Sequence, residues 1–194
     1  VDAVLVAATM TNPTIAIIIG STRPGRAGEA IATWVREVAS ARTDASYELV
    51  DLAEFDLDLL NEPVSPGAAN RQYASEKTRN WSSVIDRFDG YVFVTPEYNH
   101  GVPAAFKNAL DVLYPEWNEK TVGFIGYGFD GGTRAIEHWR TIVANVRLQA
   151  ARNQVSLSMI TDFSQGQFHP GERRAGEVNG LLDQLVPLTI AMKG

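Results

Sequence analysis

Short apolar runs rich in β-formers take turns with helical stripes along this chain, and no two runs are joined by a hairpin turn. IAIIIG (Ile15–Gly20) is a continuous apolar run, the pattern of a strand covered on both faces. Ile31, Trp34, Val35 and Val38 then follow the spacing of an amphipathic helix. YELVD (Tyr47–Asp51) reads as a second strand, and Glu54–Asn70, with Pro63, Pro66 and Gly67, as a long surface loop. Trp81, Val84, Ile85 and Phe88 repeat the helical stripe before a third strand, YVFVT (Tyr91–Thr95). Phe106, Ala109, Leu110 and Leu113 form another helical face, and TVGFIG (Thr121–Gly126) a fourth strand. A helix is expected over Arg134–Leu148, a fifth strand over Gln154–Ile160 and a last helix around Val178, Leu181, Leu182 and Leu185. The polar, glycine-rich stretch Phe163–Gly176 carries no element in this reading.

Strands that alternate with helices pair in parallel through right-handed crossovers. The expectation is therefore an α/β fold, a three-layer doubly wound sandwich around five strands. In such sheets ligands bind outside the carboxyl ends of the strands, near the point where strand order reverses. The chemistry should cluster just after strands one, three and four.

Composition removes several function classes. The formal net charge of −6, with no Lys/Arg cluster, argues against a nucleic-acid partner. The chain has no cysteine, which rules out disulfides, thiolate catalysis and zinc–thiolate sites. Its three histidines, His100, His138 and His169, are far apart, so no metal site is expected. The length of 194 residues suits one domain. VDAVLVAATM at the start lacks a basic flank and is too short to span a bilayer. Residues 1–9 read as a disordered extension ahead of a single domain over 10–194, with no membrane partner and a cytoplasmic setting.

Gly20–Gly28 reads GSTRPGRAG and joins strand one to its helix. Helix-start N–H groups, the positive end of the helix dipole and the hydroxyls of Ser21 and Thr22 all favour an anion. Arg23 and Arg26 add charge-assisted hydrogen bonds suited to phosphate oxygens, and a terminal monophosphate fits better than a diphosphate. The loop lacks the Gly-Lys-Ser/Thr of a nucleotide-hydrolysing P-loop, and its glycine spacing is not that of GxGxxG. A solvated turn with chance arginines is the plainer alternative.

After strand three, TPEYNHGVP (Thr95–Pro103) is an ordered turn expected to leave backbone N–H and C=O groups exposed. With Tyr98 and Asn99 it suits a flat heterocycle, although an ordinary turn in which Tyr98 packs is the alternative. After strand four, GYGFDGGTR (Gly126–Arg134) is a glycine-rich loop in which Tyr127 or Phe129 would border a planar ligand.

With these three loops, GSTRPGR at 20–26, TPEYNHGVPAAFKNALD at 95–111 and GYGFDGG at 126–132, the chain resembles the NAD(P)H-dependent FMN reductase family. The resemblance spans roughly Thr14 to Leu188 and implies a flavodoxin-like fold with strand order 2-1-3-4-5. It implies FMN as cofactor and NADPH or NADH as reductant. Ser21 and Arg23, with the helix start Arg26, Ala27, Gly28 and Glu29, would hold the FMN phosphate, Arg23 more closely than Arg26. Pro96, Glu97, Tyr98, Asn99 and Gly101 would line the isoalloxazine, chiefly through backbone contacts, and Tyr127 and Gly128 would complete the pocket beside the ring. The resemblance also implies a homodimer or dimer of dimers, with Lys107 and Asp111 near a subunit contact. Several relatives carry Ser or Asn where this chain has Arg26, Ala27 and Gly28. His100 reads as an exposed turn residue, with a place at the open face of the flavin as the alternative.

The implied activity is hydride transfer from NAD(P)H through FMN to a quinone, azo compound, metal oxyanion or free flavin, in ping-pong order. No general acid or nucleophile is required and no catalytic side chain is assigned. Arg71 and Arg134 are the candidates to meet a 2′-phosphate of NADPH. A flavodoxin-type electron carrier is the main rival; it would show no direct oxidation of the nicotinamide. A flavin-free hydrolase or phosphotransferase lacks its nucleophile elbow and Walker lysine.

Overall fold

The computed structural model describes residues 12–193, so the expectation for residues 1–9 lies outside the described residues. Five strands, β1 (Thr14–Ile19), β2 (Ser46–Asp51), β3 (Gly90–Pro96), β4 (Thr121–Gly128) and β5 (Gln149–Ser158), form one sheet. Every pairing in it is parallel and the order is β2-β1-β3-β4-β5, as the resemblance implied. The helices are α1 (Gly28–Ser40), α2 (Pro66–Ala69), α3 (Glu76–Asp86), α4 (Ala104–Asp111), α5 (Thr133–Asn145) and α6 (Arg173–Lys193).

The central strands are buried on both faces because each alternate side chain enters a different core. Ile15, Ile17, Ile19, Val92 and Val94 pack with Ile31, Val35, Leu181 and Leu185 of α1 and α6. Ala16, Ile18, Tyr91 and Phe93 face the other way, among Trp81, Phe106 and Trp139 of α3, α4 and α5. The aromatic residues on that side stack edge-on or tilted, Phe93 lying 4.6 Å from Phe106 and 5.4 Å from Trp139. Burial on both faces explains the near-continuous apolar runs.

Several departures from the sequence reading have local causes. The stretch Glu54–Asn70 is not wholly loop: Leu52–Phe55 makes a 3₁₀ turn, and Pro66 at the first helical position starts one α turn. β4 runs two residues beyond Gly126, because Tyr127 pairs with Pro96 on one side and Leu157 on the other. β5 begins at Gln149, earlier than its apolar signal, since as an edge strand it keeps polar residues. Phe163–Gly176 holds a small antiparallel hairpin, β6 (Phe163–Ser164) with β7 (Gln167–Phe168). Its turn residues Gln165 and Gly166 both have positive φ, as a type I′ hairpin turn demands. Helix ends also fall short of their stripes: Phe88 and Leu113 are buried just past α3 and α4.

Candidate functional site

The loops after β1, β3 and β4 meet at the carboxyl edge of the sheet, where Arg23, Arg26, Ala27, Pro96, Glu97, Tyr98, Tyr127, Gly128, Phe129 and Met159 line a cleft. Gly25 takes φ +67° in the β1–α1 loop, a conformation that turns the chain sharply toward the helix. Helix α1 follows with Ala27 at its N-cap and, among the described residues, no side-chain cap hydrogen bond. Its first-turn N–H groups, including those of Gly28 and Glu29, thus keep their donors for an outside acceptor.

The two arginines of this loop differ. Arg26 is largely buried and bonds through Nη2 to Asp51 at the end of β2 and to Glu29. Its Nε is buried with no hydrogen-bond partner among the described residues. Arg23 is exposed and makes no ion pair among the described residues. Glu29 turns its carboxylate to Arg26, at 2.5 Å, so only its backbone is left for an anion. Ser21 is buried and accepts a hydrogen bond from the Tyr127 hydroxyl at 3.0 Å.

After β3 the chain closes on itself. Tyr98 and Gly101 exchange N–H···O bonds of 3.1 and 3.0 Å, with Asn99 and His100 at φ 50° and 63° between them. This corrects the expectation of a turn with its backbone groups exposed, because the N–H of Glu97 is also used, bonding to the Tyr127 carbonyl at 3.0 Å. The N–H groups of Asn99 and His100 remain without a partner among the described residues, and His100 is exposed as expected.

The Glu97 side chain does not turn toward the cleft as a ring contact. Its carboxylate accepts the N–H of Arg134 and Ala135 at 2.9 and 3.2 Å and the Arg134 guanidinium at 2.8 Å, capping the start of α5. Burial pushes this carboxyl up, but those hydrogen bonds outweigh it and hold it below the usual range. Arg134 also pairs with Asp130 at 2.8 Å. Arg71 bonds both oxygens of Asp86 at the far end of α3, away from the cleft. Neither is a free cation at the site.

Tyr127 lies on the strand, not in the loop, and its hydroxyl runs beneath the β1–α1 loop. Burial lifts its phenol to about 12. The rim belongs instead to Phe129, 77% exposed, and Tyr98, 40% exposed. Met159, which the sequence reading did not single out, joins them. Its N–H bonds to the Gly128 carbonyl at 2.8 Å and Ser158 Oγ to the Phe129 carbonyl at 2.8 Å, so the turn after β5 is stitched to that after β4. Asp51, the partner of Arg26, was also missed, though its place at the end of an apolar strand was the available signal. Among the described residues no cluster of His, Asp or Glu is arranged to hold a metal ion, and no helix is long and apolar enough to cross a membrane.

The family model for NADPH-dependent FMN reductases matches residues 13–162. An NAD(P)H-dependent FMN reductase of Schizosaccharomyces pombe is 39% identical over 160 residues, covering 82% of this chain and 80% of that protein. Among solved structures, a flavoenzyme NAD(P)H:(acceptor) oxidoreductase from Paracoccus denitrificans superposes with a TM-score of 0.72 at 22% identity, over 93% of this chain and 98% of that one. A flavodoxin from Bacillus cereus superposes with a TM-score of 0.56 at 13% identity, over 90% and 97% of the two chains. At such identities the two structures speak for the fold, which is flavodoxin-like.

Proposed function

The chain belongs to the NADPH-dependent FMN reductase family, and on that premise we propose that it passes hydride from NAD(P)H, by way of FMN, to a small acceptor at a single cleft. It is an oxidoreductase whose cofactors are FMN and a reduced nicotinamide nucleotide. FMN when bound supplies the redox chemistry, and the protein supplies placement and electrostatics.

One observation carries the reading: among the described residues a buried Arg26 Nε has no partner, beside a helix start that no side chain caps. A buried donor left unpaired is costly, so this pairing deficit fits a ligand oxygen. The site therefore fits the phosphate of FMN. We assign the phosphate to Ser21, Arg23 and Arg26, with the N–H groups of Ala27, Gly28 and Glu29. Arg23 is given the closer contact, because Arg26 is already engaged by two carboxylates.

The isoalloxazine is assigned to the cleft between Pro96, Tyr98 and Gly128, where the apolar surfaces of Phe129 and Met159 exclude water from one side. The Asn99 N–H, without a partner among the described residues, is available to an anionic ring edge, and the Tyr98–Gly101 pairing fixes its direction. Glu97 contributes by anchoring this turn to α5. No side chain is assigned as acid, base or nucleophile.

Reductant and acceptor share the open side of the cleft, so they alternate there and the kinetics are ping-pong. A quinone, azo compound, metal oxyanion or free flavin fits the acceptor role. One FMN-binding domain over 10–194 and assembly as a homodimer or dimer of dimers belong to the same reading. The test is a visible spectrum of the purified protein after adding FMN and then, without oxygen, NADPH. Retained yellow colour that bleaches with NADPH supports the reading; a protein that retains FMN but leaves NADPH unoxidised is an electron carrier instead.

A further inference from the structure

Ser21 and Tyr127 stand 106 positions apart in the chain, yet their hydroxyl oxygens are 3.0 Å from each other. Ser21 is 1% exposed and Tyr127 6%. The contact crosses the sheet: Tyr127 is the penultimate residue of β4, Ser21 follows β1, and β3 lies between these strands. In this contact the Tyr127 hydroxyl donates and Ser21 Oγ accepts.

A serine hydroxyl has one hydrogen to give and two lone pairs with which to accept. Accepting from Tyr127 leaves the Ser21 proton to be given, and among the described residues Ser21 Oγ donates to nothing. A hydroxyl that accepts one hydrogen bond is a better donor in the next, since linked bonds polarise one another. The start of α1 closes tightly on the pair. A Cβ on Gly28 would lie 2.5 Å from Ser21 Oγ and 2.9 Å from the Tyr127 hydroxyl, so glycine there is what lets the uncapped helix start approach both.

We propose that Tyr127 is a positioning residue for the phosphate half of the site: its hydroxyl holds Ser21 Oγ so that the Ser21 proton is directed to a phosphate oxygen. This replaces the ring-side contact that the resemblance implied for Tyr127, and it rests on reading the β1–α1 loop as the phosphate socket.

Riboflavin, which has the ring but no phosphate, separates the two roles. Full-length protein freed of flavin is titrated with FMN and with riboflavin by equilibrium dialysis, as wild type and as Tyr127→Phe, which keeps the buried ring. Loss of one phosphate-directed hydrogen bond should weaken FMN about tenfold and leave riboflavin unchanged, so unchanged riboflavin also reports an intact fold. Ser21→Ala should weaken FMN in the same selective way, and the double variant should be no worse than Ser21→Ala alone. Equal weakening of both flavins by Tyr127→Phe makes Tyr127 a ring contact and overturns the proposal. No weakening of either does the same. If Ser21→Ala and Arg23→Ala act selectively on FMN while Tyr127→Phe does not, the socket stands and this inference alone falls. If neither of those variants shifts FMN binding, the socket itself is misassigned.

Discussion

At the start of α1, Arg26 pairs with Glu29 three residues on and with Asp51, the last residue of β2. At the start of α6, Arg174 pairs with Glu177 three residues on and with Asp162, in the turn after β5. The two arrangements use the same residue types at the same local spacing, yet they differ in what is left over. Arg174 meets Asp162 through both Nε, at 2.8 Å, and Nη2, at 2.7 Å, and Nη1 goes to Glu177 at 2.6 Å. Arg26 spends Nη2 on both carboxylates and leaves Nε buried with nothing to bond among the described residues. A buried arginine with every edge satisfied is structural, whereas Arg26 keeps an unpaired Nε beside an uncapped helix start, the contrast on which the proposed phosphate site rests.

The largest effect should come from Arg174→Ala. It strands the buried Asp162 carboxylate, which also accepts the N–H of Ser158 at 2.9 Å. Breaking a buried pair from one side costs about 3–5 kcal/mol, read by urea denaturation without flavin. A loss of under about 1 kcal/mol, the scale of an exposed pair, would erase the contrast between the two helix starts.

Arg26→Ala should act on the ligand more than on the fold. Removing a charged hydrogen bond should weaken FMN by about ten- to a hundredfold, measured by dialysis, while the flavin-free protein loses less stability than with Arg174→Ala. The two variants should therefore separate: FMN raises the melting temperature of the Arg174 variant but much less that of the Arg26 variant at equal FMN concentration.

The glycines near the two arginines sharpen the comparison. Alanine in place of exposed helical glycine normally stabilises by about 0.5–1 kcal/mol. A Cβ on Gly176 would have nothing within 4 Å, so Gly176→Ala should follow that rule. Gly28→Ala should reverse it, destabilising by about 1–3 kcal/mol through overpacking against Ser21 and Tyr127. Melting temperatures of the two flavin-free variants should move in opposite directions.

The smallest effect is in acid. Burial raises the Asp162 carboxyl, but the Arg174 hydrogen bond and its neighbours outweigh this and hold it below its ordinary 3.8. The unfolded chain thus takes up this proton at a higher pH than the folded one. The stability owed to Asp162 is complete above the unfolded value and is lost as pH falls through the folded one. Between pH 5 and 2, about the range in which carboxylates titrate, an Asp162→Asn variant should lose stability less steeply than wild type.

Local pattern made the sheet legible. Ile15–Ile19 and Tyr91–Thr95 announce strands because both faces are buried, and their side chains enter both cores as that pattern demands. The strand order came from the resemblance of three loops, and the pairing agrees with it. The β6–β7 hairpin escaped notice because two-residue strands carry no period, and Gln165–Gly166 is a weaker turn signal than Asn-Gly. At the candidate cleft, Ser21, Arg23 and Tyr98 were singled out from loop chemistry at strand ends, and Pro96 and Gly128 from the resemblance. Asp162 and Arg174 were not, since an ion pair between a turn and a helix leaves no trace in spacing.

The sequence by itself determined the alternation of strands and helices, the edge of the sheet where the three candidate loops gather and the anion-favouring composition of GSTRPGR. Each of these is set over short stretches of chain, where periodicity and turn chemistry act. Only the tertiary structure decided how donors and acceptors are spent: Glu97 on the start of α5, Arg134 on two carboxylates, Tyr127 on Ser21, and Arg26 on two carboxylates with its Nε left over. Those allocations depend on which strand ends the sheet order brings together, and a hydrogen bond has no range beyond its own length.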